Sequence, residues 1–282
     1  MACTCEPSSR RRTPIAMASG SVTISSDRIA QRFAELRRAN RRAFVPYVTA
    51  GHPDVARSVA LLQGLESAGA DVVEVGVPFS DPMADGAVIQ ASSQKALEQG
   101  VRFDQVLEII SRASLAIPVV LFSYLNPLLR GGADALQRAA DAGAHGVLVI
   151  DLPLGADPER EAWFGDGPLA FIRLVAPTTP QERMRAIAKT GSGFVYLVSR
   201  LGVTGVRDEL PPDLPETVAR VRAATTLPLC VGFGISRPEQ ARAVGRLADG
   251  VVVGSAIVRA ADESVEAAVS LATALRRGID GE

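Results

Sequence analysis

The feature that most restricts this chain is a succession of eight short apolar runs, each separated from the next by a segment with helical spacing. The runs are Phe44–Thr49, Val72–Val75, Val119–Phe122, Gly146–Ile150, Phe171–Val175, Phe194–Val198, Leu229–Val231 and Gly250–Val253. All are strand-sized and rich in β-branched or aromatic residues. Between them, segments such as "VARSVALLQGLESAGA" and "GADALQRAADAGA" place apolar residues at three- and four-residue steps with a glycine near the end. That is the spacing of helices that close before the next strand begins. Eight strand–helix units over roughly 230 residues predict an α/β chain folded as a (β/α)8 barrel, whose usual length is about 250 residues. A doubly wound open sheet is the other fold this alternation allows.

The first 26 residues, "MACTCEPSSRRRTPIAMASGSVTISS", are rich in Ser, Thr and Arg and have no apolar period. They are expected to form a disordered extension rather than a transit peptide, because nothing in them can bury enough surface to order a chain. Residues 27–282 are then expected to be one catalytic barrel domain, opened by a short N-terminal helix. The formal charge of -1 offers no basic excess for nucleic acid or an anionic membrane. The apolar runs fall well short of the roughly 20 residues that a spanning helix needs. Cys3, Cys5 and Cys230 are odd in number, and two lie in the tail, so a disulfide framework is not expected. These features fit a cytoplasmic protein.

Within the second run, "DVVEVGVPFSDPMADG" (Asp71–Gly86) places Glu74 among valines and follows it with Asp81 and Asp85. Burying a carboxylate costs several kcal/mol unless it is paired or neutralised. Side chains alternate along a strand, so Val73 and Val75 share one face and Val72, Glu74 and Gly76 the other. If the valines pack on the helices, Glu74 points into the barrel near the C-terminal end of its strand, where barrel enzymes hold their chemistry. Gly76 leaves space beside it, and Asp81 and Asp85 follow in the loop on the same face. A structural pairing of Glu74 would need an arginine such as Arg173, because neither lysine lies on a strand.

Two later stretches, "CVGFGIS" (Cys230–Ser236) and "VVVGSAIV" (Val251–Val258), each end a strand in glycine and open a helix. Bare N–H groups at a helix N-terminus bind phosphate, and the loops after the last two strands are where many barrels hold one. The segment "SRLGVTGVRDELPPD" (Ser199–Asp213) is longer than a plain connection and is read as a lid. Lys95 and Lys189 fall in helical segments, while His52 and His145 are far apart and fall in turns. Imine and metal chemistry are therefore disfavoured, and no metal site is expected. General acid–base work by Glu74 and Asp85 remains.

Together these residues resemble the family of tryptophan synthase α subunits, from about Asp27 to Arg276. The resemblance is carried in order by "PYVTAGHPD", "EVGVPFSDPMADG", "VLFSYLNP", "IDLP", "LVAPTTPQER", "YLVSRLGVTG", "GFGIS" and "VVVGSAIV". It departs from the family's common pattern at "AGHP", at "LGADPERE" after "IDLP", and at "SYLNP".

The resemblance implies retro-aldol cleavage of indole-3-glycerol phosphate to indole and glyceraldehyde 3-phosphate, without a cofactor in this chain. It makes Glu74 the acid/base at indole C3, Asp85 the partner of the indole N–H, and Tyr196 a support for the catalytic group. Gly205, Gly234, Gly254 and Ser255 would hold the phosphate. Tyr47, Ile89, Phe122, Tyr124, Phe233 and Val252 would line the indole pocket, and Thr204 in the lid would close against Asp85. A lumen Glu is expected to be raised by desolvation, and a loop Asp nearer water to stay ionised.

The family further implies a pyridoxal-phosphate β subunit as partner, in an αββα assembly, contacted through Pro82, Asn126 and Pro127. A stand-alone lyase and a non-catalytic regulatory subunit are the alternatives.

Overall fold

The computed structural model describes residues 27–198, 210–232 and 234–282. All eight runs form strands: β1 (Ala43–Thr49), β2 (Val73–Gly76), β3 (Val119–Ser123), β4 (Gly146–Val149), β5 (Ala170–Val175), β6 (Val195–Val198), β7 (Leu229–Gly232) and β8 (Gly250–Val253). Every neighbouring pair is parallel, and β8 closes on β1, so the fold is a (β/α)8 barrel and not an open sheet.

Helix α1 (Asp27–Arg38) precedes β1, and the first three connections carry α2 (Val55–Ser67), then α3 (Ala87–Glu98) with α4 (Phe103–Ala113), then α5 (Leu125–Arg130) with α6 (Ala135–Asp141). The rest carry α7 (Pro158–Gly165), α8 (Gln181–Lys189), α9 (Leu214–Arg222), α10 (Pro238–Gly245), α11 (Ser255–Glu263) and α12 (Val265–Asp280). The strict one-to-one alternation of the sequence reading is thus exceeded: β2–β3 and β3–β4 each hold two helices, and two follow β8. The breaks have local causes. Gly100, at φ +83°, turns the chain between α3 and α4 in a left-handed conformation that disfavours a side chain. Ser264 ends α11 in extended backbone and caps α12, its hydroxyl accepting from the Ala267 N–H at 3.0 Å.

Strand alternation sorts the core into two layers. Phe44, Val48, Val73, Val75, Leu121 and Phe171 face the helices, while Val45, Val72, Val120, Leu148, Ile172 and Val252 fill the lumen. Glu74 lies between two outward valines and therefore points inward, as predicted. The short N-terminal helix does more than precede the barrel. Its Ile29, Phe33 and Leu36 join the lumen cluster and plug the N-terminal end, with the Phe33 ring 5.6 Å from that of Phe194.

The same end is laced by charge. Asp71, 1% exposed, accepts from the Phe44 N–H at 2.9 Å, from Arg32 at 2.6 Å and from Arg276 at 2.9 Å. Arg276 also pairs with Asp280 and donates to the Arg42 carbonyl at 3.0 Å, tying α12 to α1 and to the start of β1. Close by, His145 Nδ1 accepts from the Val119 N–H at 3.2 Å, and Nε2 faces the Arg28 guanidinium at 3.1 Å. Burial and Arg28 push that histidine down to about 4, so it stays neutral.

Candidate active site

The C-terminal ends of the strands surround a cavity of about 310 Å³ that reaches from Glu74 and Asp85, past Tyr47, Ile89, Phe122 and Val252, to Gly234, Gly254 and Ser255. Glu74 sits at its floor, 1% exposed, in register with Tyr47 of β1 and Val120 of β3. Its Oε1 has no hydrogen-bond partner among the described residues. Desolvation pushes its pKa from 4.5 to about 8, so it carries a proton at neutral pH. Arg173, the cation that would have made Glu74 structural, faces outward instead. It pairs with Glu161 at 3.1 Å and lies over the Phe171 ring.

Two glycines make room for two tyrosines around this floor. A Cβ at Gly76 would fall 2.0 Å from the Tyr47 hydroxyl, and one at Gly232 would fall 2.2 Å from the Tyr196 hydroxyl. The space predicted beside Glu74 is thus filled by Tyr47, whose ring meets Phe122 edge-on at 5.2 Å. Burial pushes both phenols well up, helped by Asp85 and then Glu74 at Tyr47 and by Glu74 at Tyr196, so each remains a neutral hydroxyl able to donate.

Asp85 ends the loop between β2 and α3. A turn bond from its N–H to the Pro82 carbonyl at 3.0 Å shapes that loop, and Gln90 of α3 donates to the Asp85 carbonyl at 2.9 Å. Tyr124 holds the loop from the other side: its hydroxyl accepts from the Ala84 N–H at 2.9 Å, and its ring lies 5.0 Å from that of Phe79. Tyr124 therefore stands behind Asp85 and does not line the cavity, because β3 has ended at Ser123 and the chain is turning into α5. Asp85 is half-buried rather than bathed in water. Burial pushes it up to about 6 against the opposing hydrogen bond from Tyr124, so it is ionised at neutral pH but sits closer to titration than a surface aspartate.

At the far end, Gly234 takes φ +79°, which a side chain would resist, and Gly254 precedes Ser255 at the start of α11. Both line the cavity together with Ser255, and a helix N-terminus with glycine beside it is an arrangement that suits an anion. Gly205, Thr204 and Phe233, expected in the phosphate grip, the lid and the pocket wall, lie outside the described residues. Pro82 is half-buried in the β2–α3 loop, Asn126 is exposed and Pro127 half-buried at the start of α5, so all three are on the same barrel face as the cavity. Asp81 is exposed in the same loop.

The sequence reading missed Ser236, Arg259, Glu263 and Leu271, which also line the cavity. Arg259 and Glu263 follow Ser255 at four-residue steps, a signal legible only once Ser255 is known to open a helix that faces the site. The lysines are where the sequence put them, in α3 and at the end of α8. His52 is a turn residue, but it is 2% exposed and lies 3.4 Å from Asp262, which Lys95 also holds at 2.6 Å. Among the described residues, no group of three or more His, Cys, Asp and Glu side chains could hold a metal ion.

The profile of the family described as "Tryptophan synthase alpha chain" matches residues 33–278. The chain belongs to the tryptophan synthase alpha chain family. It is 48% identical over 242 residues to the tryptophan synthase alpha chain of Desulfatibacillum aliphaticivorans, covering 83% of this chain and 89% of that one. It is 42% identical to the tryptophan synthase of Saccharomyces cerevisiae, where the match spans 86% of this chain but 35% of the yeast protein. A solved structure of Mycobacterium tuberculosis tryptophan synthase superposes with a TM-score of 0.83 at 38% identity, covering 89% of this chain and 98% of that one. The barrel and the family agree: this is a lyase-type alpha chain, and no helix among the described residues is long and apolar enough to cross a membrane.

Proposed function

We propose that this chain cleaves indole-3-glycerol phosphate by a retro-aldol reaction, releasing indole and glyceraldehyde 3-phosphate. The observation that carries the reading is a buried, protonated Glu74, its Oε1 without a partner among the described residues, which lines one apolar cavity together with ionised Asp85, Gly234, Gly254 and the N-terminus of α11. The flat walls of Tyr47, Ile89, Phe122 and Val252 suit an indole ring. Gly234, Gly254 and Ser255 suit the phosphate.

In this reading Glu74 gives its proton to indole C3, and Asp85 holds the ring N–H and balances the positive charge of the indolenine. The Glu74 carboxylate then takes the proton of the adjacent glycerol hydroxyl. The carbon–carbon bond breaks, its electron pair returns to the ring, and the hydroxyl carbon leaves as an aldehyde. Glu74 ends as it began, so no lysine is needed. Tyr196 keeps the floor shaped around it. Electrophilic activation comes from the ring itself, and any pyridoxal phosphate belongs to a β partner.

A β subunit would dock on the face that carries Pro82, Asn126 and Pro127. Met83 in the same loop, 82% exposed, is the large apolar side chain most open to solvent among the described residues, and an exposed methionine at a loop tip suits a partner surface. Because that loop also carries Asp85, association and site completion would be coupled. An αββα assembly in the cytoplasm belongs to the same reading.

The test is steady-state indole release from indole-3-glycerol phosphate, with and without a tryptophan synthase β subunit. Slow turnover that rises greatly with β supports the proposal. Fast turnover indifferent to β means a stand-alone lyase, and none under either condition means a regulatory subunit.

The pH profile gives a second check. Cleavage needs Asp85 ionised and Glu74 protonated, so activity is expected to fall below about 6 and again above about 8. A profile flat across both edges contradicts the assignment.

A further inference from the structure

Helix α11 presents one stripe to the cavity, made by Ser255, Arg259 and Glu263 with Ala256 and Ala260 beside them. Residues four apart stack on one helix face, and each side chain leans toward the N-terminus, over the preceding turn. Arg259 therefore covers the turn that begins at Ser255. One turn is about 5.4 Å of rise, within the length of an arginine side chain.

Charge makes the placement meaningful. Among the described residues that line the cavity, three are carboxylates (Glu74, Asp85 and Glu263) and one, Arg259, is a cation. A phosphate monoester brings roughly two negative charges, while a helix N-terminus offers about half a positive one. Backbone amides alone would leave that ligand under-compensated beside carboxylates. The Arg259 guanidinium has no hydrogen bond or ion pair with any described residue. The other cation at α11, Lys95, is held by Asp262 on a different face of the helix.

We infer that Arg259 is a further phosphate ligand of this site, and the residue that selects a phosphorylated substrate over its unphosphorylated counterpart. The inference rests on the function proposed above. In the loaded site the guanidinium reaches back to the phosphate at Ser255 and donates charge-assisted hydrogen bonds that backbone amides cannot equal.

The experiment compares wild type, Arg259→Gln and Arg259→Lys in two assays: cleavage of indole-3-glycerol phosphate with the β subunit present, and calorimetric binding of glycerol 3-phosphate. Arg259→Gln is expected to raise both KM and the glycerol 3-phosphate Kd about tenfold, with the affinity for indole changed by less than about twofold. Arg259→Lys should recover most of the loss, and added salt should weaken binding less in the Gln variant than in wild type. Since Arg259 is exposed and unpartnered among the described residues, both variants should fold, which thermal melts will check. Unchanged KM and Kd in Arg259→Gln, in a wild-type background that cleaves, would overturn the inference and leave the function standing. A wild type that does not cleave, yet binds glycerol 3-phosphate through Arg259, would sink the function and keep the ligand.

Discussion

Replacing Glu74 by Gln is expected to lower indole release by roughly 10³-fold or more, the range lost with a positioned acid–base group, while a substrate analogue still binds within about threefold of wild type. The amide has the shape of the acid and leaves the cavity walls in place, but it cannot give a proton to indole C3 or take one from the glycerol hydroxyl. Near-normal turnover in this variant would remove Glu74 from the mechanism.

The same substitution should move stability in the opposite direction. In the folded chain Glu74 holds its proton up to about 8, whereas once exposed it releases it near 4.5. The folded state therefore binds more protons between those values. Its Glu74-linked stability is fully present below about 4.5 and lost as pH rises through about 8. Glutamine carries no such proton. Urea midpoints measured across the window should shift in favour of Glu74→Gln as pH rises, and a difference independent of pH would mean that Glu74 is not held protonated. A variant that is less active yet relatively more stable in alkali is the signature of a residue kept for chemistry.

How much of this was legible in the sequence follows from which periodicities survive in one dimension. The eight strands were legible because β-rich runs and their two-residue alternation are local, and that alternation alone turned Glu74 inward. The doubled helices were less so, since they depend on single residues such as Gly100 and Ser264. The role of α1 as a plug was not legible, because Phe33 meets Phe194 across most of the chain. Tyr47 and Gly76 are likewise coupled only by the β1–β2 register, and Tyr124 left the cavity wall because a turn redirects it where β3 ends. Arg259 shows the limit most plainly. In the sequence it is one of the chain's many arginines, the single one on its amphipathic helix, and it gains meaning only when that helix is seen to open onto the cavity.

The stretch that holds Glu74 also holds Asp71, and here the sequence could not say which buried carboxylate was structural. Asp71 sits at the opposite end of the barrel with three donors on it: two guanidiniums and the Phe44 N–H. Removing one partner of a buried ion pair strands the others, at a cost of about 3–5 kcal/mol. Asp71→Ala is therefore expected to lose stability toward the lower end of that range: Arg276, 6% exposed, loses one of its two carboxylates but keeps Asp280, Arg32 loses its buried partner, and the Phe44 N–H loses its acceptor. Since 1 kcal/mol moves the melting temperature of a large domain by roughly 2–4 °C, the loss should appear as a fall toward the lower end of roughly 6–20 °C. Asp71→Asn keeps an acceptor for Phe44 while discarding the charge, and should fall between the two. Below its melting range the Ala variant should cleave at close to the wild-type rate, because the barrel's length separates Asp71 from the cavity. A melting temperature within a degree or two of wild type would mean that the cluster contributes little. A collapse of kcat in the still-folded variant would mean instead that the two ends of this barrel are mechanically joined.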